Sequence, residues 1–365
     1  MVVWKKLGEV CSFNRGRTIT SKDTIEGNIP VIAGGQSPSY YHNESNRCGE
    51  SIAVAGSGAY AGFISYWNQP IFVSDAFTVD PRDNISHKYL FHWLKMNQAN
   101  VYATQKGAGV PHVHGKDIAN FLIPIPSLSE QSRIVGILDT FTASIDNLKA
   151  QIAQHRKQYE YYRDQLLDLE GKEGVEMKTI KEVFDTRNGY TPSTNNSDYW
   201  ENGIIPWFKM EDIRDKGRIL DDSILHITPK AIKGKGLFKA NSIILATSAT
   251  IGEHALINVE HLCNQRFTNF FTKKKFEEKV NMKFVYYYMY KIDEWCKQHV
   301  NQGGFASVDM GGLYNHYFPL LSLEEQRRIV SILDTFEASI TNLESQLKAR
   351  EQQYEYYRNK LLTFE

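Results

Sequence analysis

The chain has 365 residues, with 42 basic and 42 acidic side chains and therefore no formal net charge. Its 42% hydrophobic content is typical of a folded globular protein, and its neutrality argues against a free-standing DNA binder. No apolar run approaches the length of about 18 residues that a membrane span needs. The four cysteines have neither metal-site spacing nor the density of a disulfide framework, so we expect a reduced, cytoplasmic protein without a membrane partner.

The first block, residues 1–126, is predicted to form many short strands. Its segments are rich in β-branched residues and are interrupted by Gly, Pro and Asn, as in strands joined by turns. One helix is predicted at His87–Asn97. A Gly-rich segment, Lys106–Pro124, follows it and carries the close pair His112 and His114. Two isolated histidines fit loop or core positions better than zinc ligands.

A segment that occurs twice determines the architecture. Ser127–Glu170 returns as Ser322–Glu365 at an offset of 195 residues, and 27 of 44 positions are identical. From Ile134 and from Ile329, apolar or aromatic residues recur at alternating steps of 4 and 3, the heptad seam of a coiled coil. Each start fits a capping box, a serine followed three residues later by glutamate. The repeats therefore predict two long helices that pair.

Each seam is broken once by a polar residue, His155 in the first copy and Arg350 in the second. Such a residue either fixes the register of the helices or reaches out to solvent, and the sequence leaves both readings open. The cluster YEYYR follows in both copies and places Tyr161 and Tyr356 off the seam. These two tyrosines either contact a partner or pack on the adjacent block.

The second block, residues 171–321, is related to the first. The segment that begins at Asp75 (DAFTVDP) matches the one that begins at Gln265 (QRFTNFF), and the main insertions fall between Arg214 and Lys235. A second helix is predicted at Met282–Ile292. The first block has 11 basic and 9 acidic residues and the second 20 and 18, so each carries a charge of +2. Two related blocks with different loops indicate two recognition modules with different targets.

Searches for catalytic motifs find nothing that fits. The segment Gly56–Gly62 lacks the G-x-G-x-x-G spacing and reads as a tight turn, and Gly109–Lys116 lacks the Ser or Thr of a phosphate loop. No G-x-S-x-G or H-E-x-x-H segment occurs. The sequence therefore predicts a protein that is not an enzyme.

The duplicated L-x-EQ-x-RIV-x-ILD motif, at Leu128–Asp139 and Leu323–Asp334, and the opening NGYTPS…YW…GIIPW of Asn188–Trp207 carry a family resemblance. With two variable blocks around them, they resemble the specificity subunits of type I restriction–modification systems across essentially the whole chain. The first block departs from the family opening, with Arg17-Thr18-Ile19 where Thr-Pro-Ser is usual.

The resemblance implies an α+β fold in which two β-rich target-recognition domains, related by pseudo-symmetry, are separated by two long helices that form an antiparallel coiled coil. The implied domains are residues 1–126 and 171–321, and the implied spacer helices are residues 127–170 and 322–365. Each domain would read half of a bipartite double-stranded DNA target. The helices would set the spacing and dock two methyltransferase subunits, with restriction/translocase subunits joining them.

The resemblance also implies that this chain holds no cofactor or metal, since S-adenosylmethionine, ATP and Mg would belong to the partner subunits. The absence of any Pro-Pro pair, and hence of an adenine-methyltransferase motif, agrees with this. Sites on the repeated helices would dock partners: Glu130, Gln131, Arg133, Tyr161, Glu325, Gln326, Arg328 and Tyr356.

Candidate DNA contacts follow from the Gly-rich matched loops and the opening loops, because bases are read by hydrogen-bonding side chains and phosphates by cations. The candidates are Arg15, Arg17, Lys106, His112, His114 and Lys116 in the first block, and Arg187, Tyr190, Thr191, Asn301, Gln302 and Ser307 in the second.

Two other functions fit parts of the pattern. A scaffold that joins two protein-binding modules through a coiled coil explains the repeat and the neutral charge equally well. A nuclease fused to its own DNA reader is a third possibility, but it lacks a catalytic constellation.

Overall fold

The computed structural model of the chain describes residues 2–301 and 306–364. Its residues form two compact units, each with a segment of both long helices: unit 1 is Met1–Ile152 with Asn342–Glu365, and unit 2 is Ala153–Thr341.

Up to the end of the first repeat, the elements in chain order are β1 (Val3–Lys6), α1 (Leu7–Val10), β2 (Cys11–Arg15), β3 (Ile29–Ile32), β4 (Tyr40–His42), β5 (Glu50–Ala55), β6 (Ile64–Asn68), β7 (Phe72–Val73), β8 (Ala76–Pro81), α2 (His87–Met96), α3 (Gln98–Tyr102), α4 (Gly115–Ile118), β9 (Leu122–Ile125) and α5 (Leu128–Leu166).

The second half continues with β10 (Glu176–Thr179), α6 (Ile180–Val183), β11 (Phe184–Asn188), β12 (Ile205–Phe208), α7 (Met210–Lys216), β13 (Ile219–Leu220), β14 (Leu225–Ile227), β15 (Ser242–Ala246), β16 (His254–Ile257), β17 (Leu262–Cys263), β18 (Phe267–Thr272), α8 (Met282–Gln298), β19 (Val300–Asn301), β20 (Ser307–Val308), α9 (Met310–Asn315), β21 (Tyr317–Leu320) and α10 (Leu323–Leu362).

The two units share one sheet plan. The main sheet runs β2-β8-β5-β6 in unit 1 and β11-β18-β15-β16 in unit 2, where β13 from the predicted insertion adds to its edge. A smaller sheet, β4-β3-β7 or β14-β12-β17, has one antiparallel and one parallel pairing in each unit. The α+β prediction with two related β-rich domains is therefore confirmed.

The sheet register corrects one match made from the sequence. Val54 pairs with Phe77 in unit 1, and its counterpart Leu245 pairs with Thr268 in unit 2. Asp75 is therefore equivalent to Arg266, and Gln265 is an additional residue in the preceding turn. Both segments contain a Phe-Thr pair, and matching these pairs places Asp75 opposite Gln265. That is one position away from the equivalence that the strand register gives.

The two long helices are antiparallel, as predicted. In unit 1, Phe141 stacks on Tyr357 with ring centroids 5.3 Å apart, and Lys149 lies 3.3 Å from Glu351. The partner number falls as the α5 number rises, which defines an antiparallel pair. In unit 2, Tyr162 of α5 stacks on Phe336 of α10 at 5.4 Å.

The polar breaks in the seam contact the facing helix. The His155 ring lies 3.2 Å from the Ser339 hydroxyl, and the Arg350 guanidinium lies 5.6 Å from the ring centroid of Phe141. Both polar residues therefore take part in the helix pair.

Each helix start is also packed into its own β-rich domain. Ile134 and Leu138 are fully buried in the cluster that holds Tyr89 and Leu90 of α2. Ile329 and Leu333 occupy the same places against α8. Fully burying such a side chain contributes roughly 1.5–3 kcal/mol, so these first turns fix each helix to its domain.

Only one of the two hydrogen bonds of each predicted capping box forms, the one that the serine hydroxyl accepts. The Ser127 hydroxyl accepts the Glu130 backbone N–H at 3.3 Å, and Ser322 does the same for Glu325 at 3.2 Å. The Glu130 carboxylate instead pairs with Arg133 through two bonds of 2.8 and 2.7 Å. Charge-assisted bonds are about twice as strong as a bond from a neutral N–H, which explains why the arginine prevails.

Candidate nucleic-acid interface

A cavity of about 420 Å³ in unit 1 gathers four of the predicted DNA contacts. It lies where the end of β2, the turn after β5, the start of β8 and the loop before α4 meet. Its lining includes the cationic or ionisable side chains Arg15, His112, His114 and Lys116. These four come from segments about 100 residues apart in the chain, which sequence spacing alone could not connect.

The backbone holds these segments in place. Lys106 and His112 exchange two backbone hydrogen bonds of 3.0 and 2.8 Å, which close the loop between them. Val113 N–H donates to the Gly56 carbonyl at 3.0 Å and ties this loop to the turn after β5. Gly16 follows β2, and a Cβ there would lie 2.4 Å from the Val73 carbonyl oxygen. Only glycine permits that approach, which brings the end of β2 against the start of β8.

The cavity side chains have different constraints. The His112 and His114 rings are nearly parallel, with centroids 6.3 Å apart and an interplanar angle of 9°. Lys106 does not line the cavity, because its ammonium pairs with Asp117. Burial raises the pKa of Asp117, but bonds from Lys106 and from the His114 N–H outweigh burial and lower it.

Arg17 lies outside the cavity on the unit 1 surface. Its guanidinium is 3.7 Å from the Glu44 carboxylate and 5.1 Å from the ring centroid of Phe72, and its side chain is 68% exposed. Its role as a phosphate contact stays a prediction.

Unit 2 builds the same frame with other side chains. Tyr190 N–H donates to the Cys263 carbonyl at 2.9 Å, and Val308 N–H donates to the Thr247 carbonyl at 2.9 Å. Asn301 pairs with Ser307 as Lys106 does with His112, and both residues have accessible surface. The predicted contact Gln302 lies outside the described residues.

Two predicted contacts in unit 2 serve the fold. The Arg187 guanidinium stacks 4.0 Å from the Phe238 ring centroid and donates to the Gly236 carbonyl at 2.8 Å, while burial lowers its pKa. The Tyr190 hydroxyl donates to the Ala231 carbonyl at 2.9 Å and accepts the Lys233 N–H at 2.9 Å. Arg187 and Tyr190 therefore hold the loops around Gly236 and Ala231 in place.

The sequence reasoning missed residues beside these loops. Asp75 lines the unit 1 cavity and accepts the Ser57 hydroxyl. Arg266 takes the equivalent place in unit 2 and is exposed. Gln265, the additional residue, accepts the hydroxyl of the predicted contact Thr191. The sequence contains a signal for these residues, because Asp75 and Arg266 have opposite charges and each lies just before the equivalent strand, β8 or β18.

The predicted docking residues divide into surface and interior positions. Tyr161 and Tyr356 are 61% and 59% exposed. Both Glu-Arg pairs lie at the surface, with Glu325 and Arg328 joined by bonds of 2.7 and 2.6 Å. The surface is therefore accessible at Tyr161, Tyr356, Glu130, Arg133, Glu325 and Arg328, and docking of a partner there stays a prediction.

The two glutamines predicted for docking lie inside. Gln131 and Gln326 are 0% and 1% exposed. The Gln131 amide donates to the Asn84 and Pro126 carbonyls at 2.7 and 3.0 Å. Because neither side chain has surface to offer, each glutamine joins its helix to its own domain.

Neither a metal cluster nor a membrane-spanning helix is found in the described ranges. Residues 2–301 and 306–364 contain no group of three or more His, Cys, Asp or Glu side chains placed to hold a metal ion. No helix within these ranges has the length and apolarity to cross a bilayer.

Solved structures share this fold. The S subunit of a type I restriction–modification system from M. genitalium superposes with a TM-score of 0.64 at 16% identity, covering 100% of this chain and 97% of that one. A chain from a study of complex assembly and conformational transition of the type I R-M system gives 0.63 at 20% identity, covering 99% and 97%.

Curated relatives of this chain include proteins named as specificity subunits. The EcoprrI specificity subunit of Escherichia coli is 46% identical over 214 residues, 56% of this chain and 53% of its own length, so the match spans about half of that relative. The EcoR124I/EcoR124II specificity subunit of Escherichia coli is 36% identical over 297 residues, covering 76% and 70%. The family model for the type I restriction modification DNA specificity domain matches residues 1–155 and 172–350. The chain therefore belongs to the type I restriction–modification specificity subunits, the non-catalytic members of their complexes.

Proposed function

We propose that this chain reads a bipartite double-stranded DNA target, with each β-rich domain contacting one half. The observation that supports this is a shared backbone frame lined by different side chains. Unit 1 places Arg15, His112 and Lys116 where unit 2 has Asn188, Ser307 and Gly311. A common frame positions two readers alike, while different linings give them different targets.

The unit 1 cavity has the chemistry of a DNA contact. Arg15 and Lys116 line it and would serve as phosphate ligands, while the imidazoles of His112 and His114 would donate or accept hydrogen bonds at base edges. The net charge of each block is only +2, so tight retention of DNA would depend on partner subunits.

The paired helices would set the gap between half-sites and dock two methyltransferase subunits, with restriction/translocase subunits joining for cleavage. The exposed Tyr161 and Tyr356 and the two Glu-Arg pairs are the surface features that support docking on these helices. S-adenosylmethionine, ATP and Mg would be bound by those partners, and the complex would act in the cytoplasm.

The test is selection of bound sequences from a library of randomised duplexes, using the full chain with and without a type I methyltransferase subunit. A bipartite consensus with a fixed gap supports the proposal. No retention in either preparation would favour a protein-binding scaffold instead, and retention without sequence preference would contradict the reading of half-sites.

Alanine variants refine this test. Lys116→Ala should weaken binding to all sequences alike and lower the salt dependence by about one phosphate contact. Lys5→Ala, an exposed lysine on β1 away from the cavity, is the matched control and should leave both unchanged. Equal affinity and salt slope for the two variants would remove Lys116 from the interface.

Inserting one matched heptad into both α5 and α10 tests the spacer role. Seven residues add roughly 10 Å of helix, which corresponds to about three base pairs of B-DNA. The selected gap should lengthen accordingly, and an unaltered gap with intact binding would refute a spacer role for the helices.

A further inference from the structure

The two units differ most sharply at one equivalent position of the shared frame. In unit 1, the Asp75 carbonyl accepts the Gly56 N–H at 3.0 Å. In unit 2, the Arg266 carbonyl accepts the Thr247 N–H at 2.9 Å. The same backbone bond thus presents an acidic side chain in one unit and a basic side chain in the other.

The carboxylate of Asp75 is unusual for a DNA-binding cavity. It shares the cavity with Arg15, His112 and Lys116, yet among the residues that the structure describes it has no cation within ion-pair distance. Its hydrogen-bond partner is the neutral hydroxyl of Ser57, which holds one carboxylate oxygen. The second oxygen is therefore left to accept a hydrogen bond from a ligand.

DNA chemistry narrows what that oxygen can meet. Phosphates repel a carboxylate, so Asp75 has to face a hydrogen-bond donor on a base edge. In the major groove, adenine presents an amino group beside the N7 acceptor, which a carboxylate cannot satisfy. Cytosine presents its N4 amino group without a competing acceptor, which is why acidic side chains pair with cytosine.

Arg266 has the opposite chemistry on the same frame. It is exposed, and within residues 2–301 and 306–364 its guanidinium has neither an ion pair nor a hydrogen bond. Its backbone is fixed by the Thr247 N–H and by its own N–H, which donates to Asn264 at 3.0 Å. A guanidinium presented in this way matches the O6 and N7 acceptors of guanine, the commonest specific arginine contact.

We infer that the position held by Asp75 in unit 1 and by Arg266 in unit 2 is a base-reading position, at which Asp75 accepts the N4 amino group of a cytosine and Arg266 donates to O6 and N7 of a guanine. This rests on the proposed function, and it adds which residues determine specificity and which base each one reads. The identity of one base pair in each half-site follows from this single position.

The first test is selection from randomised duplexes with the full chain and two variants. Asp75→Asn should abolish the preference for one C·G pair in the half-site read by unit 1, by roughly five- to 150-fold, and leave the other half-site unchanged. Arg266→Ala should do the same to one G·C pair in the half-site read by unit 2. Each variant is thus an internal control for the other.

Asp83→Asn is the matched charge control, since Asp83 is exposed on unit 1 and lies outside the cavity. It should leave both half-sites unchanged. If Asp75→Asn or Arg266→Ala changes affinity for every sequence by the same factor, the residue acts through charge or phosphate, and the inference is overturned. A wild-type chain that selects no consensus overturns the proposed function as well, so the two failures differ.

A second test acts on the DNA and leaves the protein intact. Replacing each cytosine of the unit 1 half-site by 2-pyrimidinone removes its N4 amino group. One replacement should weaken binding by the wild-type chain and should not weaken binding by the Asp75→Asn variant any further. Such non-additivity would show that Asp75 and that base are coupled. If no replacement weakens wild-type binding, the inference fails even where the variant does not fold.

Discussion

The junctions between each domain and the helices are built alike but have different proton chemistry. In unit 1, Lys88 and His92 of α2 meet Asp139 of α5 and Tyr354 of α10. The His92 ring nitrogens lie 3.0 Å from the Asp139 carboxylate and 3.1 Å from the Tyr354 hydroxyl. Burial lowers the pKa of His92, and the Asp139 bond opposes this in part.

Unit 2 keeps the lysine and the aspartate but replaces the imidazole. Lys283 lies 2.8 Å from Asp334, and Tyr287 stands where unit 1 has His92, with its hydroxyl 2.5 Å from Asp334 and 3.1 Å from Glu337. The Tyr159 hydroxyl donates to Glu337 at 3.0 Å. The single proton of the Tyr287 hydroxyl is therefore shared between the carboxylates of Asp334 and Glu337. Burial raises the pKa of Glu337.

The comparison shows that both units keep the contacts that join the domain helix to the long helix. The ionisable side chains beside those contacts differ between the units. A conserved Lys-Asp pair connects the domain helix to the long helix in both units. Beside this pair, burial lowers the pKa of a histidine in unit 1 and raises the pKa of a glutamate in unit 2. Mutation of a shared contact should therefore lower the stability of the two units equally. A change of pH should shift the stability of the two units in opposite directions, because the ionisable neighbours differ.

The largest effect is expected at the buried glutamines. Gln131→Leu removes the partner of the Pro126 carbonyl in a buried bond, at about 1–3 kcal/mol, and the partners of the part-buried Asn84 carbonyl and Ser86 N–H at a smaller cost each. Chemical denaturation should show unit 1 destabilised by about 2 kcal/mol or more. Gln326→Leu should do the same to unit 2.

Gln352→Leu is the matched control, because Gln352 is exposed on α10 and the leucine leaves no buried group unpaired. Its stability should change little. A loss below about 1 kcal/mol at Gln131 would show that water replaces the amide, and unequal losses at Gln131 and Gln326 would break the equivalence of the two attachments.

A smaller effect is expected from the aromatic stacks between the helices. Phe141 stacks on Tyr357 in unit 1, and the equivalent residues Phe336 and Tyr162 stack in unit 2, so each copy supplies the phenylalanine of one stack and the tyrosine of the other. The interplanar angles are 23° and 24°. Double-mutant cycles to leucine should give a coupling of about 0.5–1.5 kcal/mol in each unit. A coupling near zero in one unit alone would show that the helices are held differently there.

The sequence predicted the helices well because their pattern is local. The helix predicted at His87–Asn97 is α2, His87–Met96, and the repeats contain α5 and α10. The helix predicted at Met282–Ile292 continues to Gln298, since Ile292 and Cys296 in its last turns are buried in the core of unit 2. That burial is a tertiary contact, which the local pattern does not report.

The candidate site could be predicted only in part, for the same reason. Gly-rich loops identified His112, His114 and Lys116, which line one cavity. Arg187 looked equally suitable in sequence, but its stacking on Phe238 joins residues about 50 apart in the chain. The equivalence of Asp75 and Arg266 depends on strand register, which identical Phe-Thr pairs in the two segments obscured.

The smallest and most discriminating effect is opposite pH dependence in the two units. His92 has a folded pKa below its ordinary 6.5, so the unfolded state binds more protons and unit 1 loses stability as pH falls below about 6.5. Glu337 has a folded pKa above its ordinary 4.5, so unit 2 gains stability as pH falls toward that value. Hydrogen exchange of α2 and α8 peptides at pH 5 and 7, corrected for intrinsic rates, measures each unit separately. Glu337→Gln should remove the response of α8 and leave that of α2, whereas a common direction in both helices would contradict the assignment.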